Sequence, residues 1–104
     1  MKKRQKYQIY QLDTENENVL KDHKLFESWE MLNRTAGFNF QDYKKVYDGV
    51  ITAQTTDVAT LEEIFEIFNI RHPEDFHGHS LSVSDVVVLD NTMYYCDSIG
   101  WQKI

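Results

Sequence analysis

The chain has one cysteine, Cys96, among its 104 residues. A single thiol excludes an intramolecular disulfide framework and a multi-cysteine zinc site. Set in an apolar and aromatic stretch, it is expected to be a small buried group. No apolar run approaches about 18 residues, so no membrane span is expected. The basic start, Lys2-Lys3-Arg4, is not followed by an apolar signal segment, and a cytoplasmic protein is the simple expectation. The four glycines stand apart from one another, which leaves no phosphate loop and no dinucleotide fingerprint. Internal repeats, low-complexity tracts and linkers are also missing.

Basic residues are scarce and unevenly placed. There are 11 of them against 17 acidic residues. Lys2, Lys3, Arg4 and Lys6 hold four of the 11, so residues 7–104 carry a balance of −10. An acidic body repels phosphate backbones, and direct nucleic-acid binding is not expected. Residues 1–6 read as a flexible basic tail, and 7–104 as a single domain. An apolar content of 41% with 13% aromatics supplies one modest core and argues against disorder.

The core is expected around Val86-Val87-Val88-Leu89, a continuous apolar run whose β-branched content favours a buried strand. Asp90-Asn91 tolerates the positive φ of a tight turn. With those two residues as the loop, Leu89 pairs with Thr92, Val88 with Met93, Val87 with Tyr94 and Val86 with Tyr95. Asp85 then lies opposite Cys96. Gly100 reads as a bend, and Trp101 to Ile104 as a last short strand.

Upstream, Tyr7 to Leu12 is expected to be a first strand, with Tyr7 and Ile9 on one face and Tyr10 and Leu12 on the other. Asp13 to Asn18 is an acidic loop without calcium-loop spacing. Leu25 and Phe26 suggest a short strand. Ser28 is placed to cap a helix over Trp29 to about Thr35, with Gly37 just past its end. Phe38 and Phe40 alternate toward the core. Val46, Tyr47, Val50 and Ile51 suggest a strand, with Asp48-Gly49 as a turn or bulge. A second helix is read over 58–69. Thr60 and Glu63 form a capping box there, and Leu61, Ile64, Phe65 and Phe68 form an apolar stripe. The fold class is therefore α+β: a mostly antiparallel sheet with two helices and the C-terminal β-hairpin in the core.

The phrases Phe68-Asn69-Ile70, His72-Pro73-Glu74-Asp75-Phe76, Gly78 to Leu89 and Tyr94 to Trp101 resemble the YodL-like domain family. So do Tyr7 to Leu12 and Tyr43 to Gly49. The resemblance covers nearly the whole chain past residue six. It implies a setting on bacterial mobile elements and phages, alone or within larger proteins. It brings no catalytic residues to carry over.

One polar constellation stands out: His79, Ser80, Ser82, Ser84, Asp85 and Asp97. His72, His77 and His79 are candidate metal ligands, but H-x4-H-x-H matches no recognised metal motif. The bland reading of His79 is a buried imidazole bonded to a backbone carbonyl or to Asp85. The serines lack a G-x-S-x-G elbow, and turn-forming hydroxyls, or a Ser82 cap reaching toward Asp85, are the simpler reading. Asp85 and Asp97 facing each other would make an acid pair, yet nothing in the sequence sets their separation. Three functional readings follow. The first is a non-enzymatic protein-interaction module of a mobile element, with a host or element protein as partner and no cofactor. The second is an acidic DNA mimic that inhibits a restriction-type enzyme. The third is a metal-dependent or hydrolytic enzyme centred on His79 and Asp85.

Overall fold

The computed structural model describes residues 3–17, 19, 26–35 and 37–104. Five strands form one sheet: β1 (Arg4–Leu12), β2 (Tyr43–Thr52), β3 (Val86–Leu89), β4 (Thr92–Cys96) and β5 (Trp101–Lys103). Their order is β2-β1-β3-β4-β5, with every neighbouring pair antiparallel. The α-helices α1 (Trp29–Arg34) and α2 (Asp57–Ile70) accompany the sheet. The architecture is the expected α+β one.

The faces follow from strand alternation. On β1, Gln5, Tyr7, Ile9 and Gln11 are all buried, as residues two apart on one face should be. Tyr7 and Ile9 pack with Val87, Leu89 and Tyr94 beneath the α2 stripe of Leu61, Ile64 and Phe68. The opposite face carries Val86 and Tyr95 against Leu32 of α1, with Tyr10, Trp29 and Phe38 around them. Tyr95 sits near Trp29 at a ring-centroid separation of 5.0 Å, a distance at which aromatic pairs attract beyond simple burial.

The hairpin register is the expected one, Val86↔Tyr95 through Leu89↔Thr92. Asp90 takes the positive φ, 54°, and its backbone N–H donates to Lys6 O at 2.7 Å. The turn is thereby tied to β1. Ser28 caps α1, its hydroxyl accepting Met31 N–H at 3.2 Å. Gly37 closes that helix with φ 81°, donating to Leu32 O.

Several local expectations are corrected. β1 begins at Arg4, so Arg4, Gln5 and Lys6 belong to the sheet and not to a tail. Gln5 explains why, since its buried amide donates to Asp90 Oδ2 at 3.0 Å. Asp48-Gly49 is neither turn nor bulge: β2 runs straight through it. The irregularity lies at Val46, which has no partner where Ile9 pairs with Tyr47 and Tyr10 with Lys45. Gly49 is small because the Tyr7 ring lies directly over it, where a Cβ would overlap. Helix α2 is capped by Thr56, whose hydroxyl accepts Ala59 N–H. Thr60 lies within the first turn, fully buried, and its hydroxyl accepts Gln54 N–H and donates to Thr56 O. Phe26 sits in a turn at φ 64° and not on a strand. Leu25 lies outside the described residues. Phe40 opens a 3-10 turn and is partly exposed, stacking on Tyr43 and tilting onto Tyr10.

Candidate functional site

The segment leading into β3 is where the expected polar residues meet. Ser82 to Asp85 is a tight turn, not a strand and not a hydroxyl-capped helix. Asp85 N–H donates to Ser82 O at 3.1 Å, and Ser82 N–H donates to Asp85 Oδ2 at 2.9 Å. The carboxylate is therefore the cap, as short acidic side chains readily form local backbone bonds. Ser84 holds φ 86°, a strained position for a residue with a Cβ. Three long-range bonds hold it there. Its N–H donates to Cys96 O, its carbonyl accepts the Tyr43 hydroxyl at 2.6 Å, and its own hydroxyl accepts Phe26 N–H at 3.1 Å.

Gln11, only 2% exposed, fastens the preceding residues. Its amide nitrogen donates to His79 O at 2.8 Å and to Asp85 Oδ2 at 3.1 Å. Its carbonyl accepts His79 N–H at 3.2 Å. Gly78 makes this approach possible, since a Cβ there would lie 2.5 Å from Gln11 Oε1. Asn69 of α2 adds a further anchor, donating to Leu81 O at 2.9 Å. Residues 79–85 are thus strapped to β1, β2, β4 and α2.

His79 is not buried: its side chain is 45% exposed. Nδ1 lies 2.7 Å from Ser80 O and donates to it, which leaves Nε2 facing Asp85 Oδ1 at 3.8 Å. The Asp85 carboxyl is 1% exposed. Burial raises its pKa to about 7, against the lowering influence of the Ser82 amide, His79 and the Gln11 amide. Burial likewise pushes the Cys96 thiol up to about 12 and lifts Tyr43 far above the ordinary phenol range.

The remaining candidates are dispersed. Asp97 does not pair with Asp85. Its Oδ1 accepts Trp29 N–H at 3.0 Å and Ser98 N–H at 2.8 Å, holding the start of α1. Ser80 is exposed, and its carbonyl is what His79 uses. The Ser82 hydroxyl is buried, with no hydrogen-bond partner among the described residues. His72 donates to its neighbour Pro73 O and tilts onto Phe76. His77 and His79 do share a cavity, with no strand between them. Among the described residues no group of three histidine, cysteine or acidic side chains is arranged to hold a metal ion.

Sequence reasoning missed Gln11, Tyr43 and Asn69. For Gln11 a signal existed: with Tyr7 and Ile9 facing the core, residue 11 shares their face, and a buried amide demands partners.

A YodL-like domain matches residues 6–104. The chain belongs to the YodL-like domain family. An uncharacterised protein of Acanthamoeba polyphaga mimivirus is 35% identical over 80 residues, covering 64% of this chain and 73% of the viral one. No solved structure matches the chain. Among the described residues, no helix of this YodL-like domain is long and apolar enough to cross a membrane.

Proposed function

We propose that this YodL-like domain is a non-enzymatic protein-interaction module serving a mobile genetic element, and that its partner adds a strand along the outer edge of β2. One observation carries the reading. β2 is 10 residues long and lies at the edge of the sheet, with β1 on one side and no described strand on the other. An unpaired row of backbone groups of that length is a template for strand addition. Val50, 49% exposed, offers an apolar contact on it. Lys44, Lys45 and the bulge at Val46 discourage indiscriminate pairing.

The polar constellation supports the same reading from the other side. A general base needs a nitrogen or carboxylate oxygen directed at substrate. Here Nδ1 of His79 is bonded to Ser80, Nε2 faces Asp85, and the Asp85 carboxylate is buried and bonded within its own turn. These groups hold a loop.

The test is affinity capture from host lysate with the wild type and with Val50→Glu, folding of both being checked by circular dichroism. A protein retained by the wild type and lost with the folded variant supports the module. Retention that double-stranded DNA competes away in a salt-dependent manner supports the acidic-mimic reading instead. Equal retention by both proteins removes the β2 edge from the proposal.

A further inference from the structure

A cavity of about 430 Å³ lies where the β1–β2 end meets the loop at 77–79. Its walls are Gln11, Leu12 and Thr14 from the end of β1, Lys44, Lys45 and Val46 from β2, and the loop residues His77, Gly78 and His79. The volume is in the range of small-molecule sites. Its charge is unlike that of the rest of the molecule. The chain has 17 acidic residues, yet among the described residues none lines this cavity, while two lysines and two histidines do.

The cations differ in availability. Lys45 is engaged with Asp48 at 2.9 Å. Lys44 and His77 have no hydrogen-bonding or ionic partner among the described residues. The walls are fixed, because Gln11 grips both backbone groups of His79 and Gly78 permits that contact. The bulge at Val46 is a local break of the ladder beside the cavity, of the kind that re-aims side chains. Leu12 and Val46 supply apolar wall.

We infer that this cavity binds a small organic phosphate, with the phosphoryl oxygens at Lys44 and His77 and the organic portion against Leu12 and Val46. A phosphate monoester fits better than a bare anion because the cavity is larger than an oxyanion and Leu12 and Val46 give it an apolar wall. Lys serves as a point charge for phosphate, and an unpaired lysine beside an imidazole is a suitable head-group pair. The cavity shares residues 44–46 of β2 with the edge proposed for strand addition, whereas Val50 lies outside it, so Val50→Glu and His77→Gln test the two proposals independently.

The experiment is an amide chemical-shift titration of the whole chain with phenyl phosphate, at constant ionic strength, with inorganic phosphate and sodium chloride as comparison probes. Saturable shifts at residues 11–14, 44–46 and 77–79 are expected, with phenyl phosphate binding about tenfold tighter than inorganic phosphate. Lys44→Gln and His77→Gln should each weaken phenyl phosphate about fivefold or more, while Lys103→Gln at the far edge leaves it unchanged. Both substitutions fall on side chains without structural partners among the described residues, so the folded spectrum is expected to be retained. Absence of saturable shifts, shifts scattered over the surface lysines, or affinity indifferent to both cavity substitutions overturns the proposal.

Discussion

Replacing Asp85 by Asn should make the protein more stable above neutral pH and should flatten its stability-versus-pH curve. The Asp85 carboxyl is buried, and its pKa is raised to about 7, against about 3.9 in an unfolded chain. A carboxyl raised by folding stabilises fully below the unfolded value and loses that contribution as pH rises through the folded one. Between pH 5 and pH 8 the loss is about 2–3 kcal/mol, at about 1.36 kcal/mol for each pH unit over which only the folded state holds the proton. Asn loses nothing over that window. It also preserves the geometry: its oxygen takes the place of Oδ2, accepting from Ser82 and Gln11, and its amide faces His79 Nε2 in place of Oδ1. Urea unfolding of wild type and Asp85→Asn, followed by fluorescence of Trp29 and Trp101, measures the difference at each pH. The variant should gain about 2–3 kcal/mol on the wild type between pH 5 and pH 8, or about 10–20 °C in melting temperature for a domain of this size. Parallel curves, or a variant that falls behind as pH rises, would refute a buried, proton-retaining Asp85.

Other expectations follow from the packing and the loop anchors. Gly49→Ala sets a Cβ into the Tyr7 ring and should cost about 2 kcal/mol in urea unfolding, as overpacking does. Phe68→Ala removes a fully buried ring that meets Tyr7, Tyr47 and Phe76; a loss of about 3–5 kcal/mol is expected. Gln11→Leu leaves His79 N–H and C=O unpaired and removes a donor from Asp85. It should cost about 2–3 kcal/mol and shift the stability curve further toward acid. Native Cys96, buried with its thiol pushed up to about 12, should react with a disulfide reagent at pH 8 only as fast as the protein opens, and labelling that outpaces unfolding would contradict that burial.

Much of the fold was legible because its signals are local. The Val86–Leu89 run, the Asp90-Asn91 turn and the Tyr94-Tyr95 pair specify one register, and the structure adopts it. Ser28 and Gly37 mark the ends of α1 by their own backbone chemistry. The misreadings arise where a distant contact decides. Gly49 looks like a turn residue, but its role is to admit the Tyr7 ring from the neighbouring strand. Thr60 and Glu63 have capping-box spacing, yet Thr56 caps, because Thr60 is drawn inward by Gln54. The basic start becomes strand because Gln5 and Lys6 find Asp90, more than 80 residues away.

The candidate site was half legible. His79, Ser82, Ser84 and Asp85 do cluster, as their proximity in sequence allows. Their arrangement rests on Gln11, Tyr43 and Asn69, which come from three other elements. Asp97 was grouped with Asp85 on hairpin geometry, but the start of α1 claims its carboxylate. The Lys44–His77 cavity depends on a bulge at Val46 that no residue type announces.

Hydrogen exchange on the captured complex, against the free domain, tests the proposed interaction most directly. Slowed exchange of β2 amides between Tyr43 and Thr52, with β4 and β5 unchanged, is the predicted result. Unchanged β2 amides, with protection confined to α2 or to the loop around His79, would contradict strand addition at this edge.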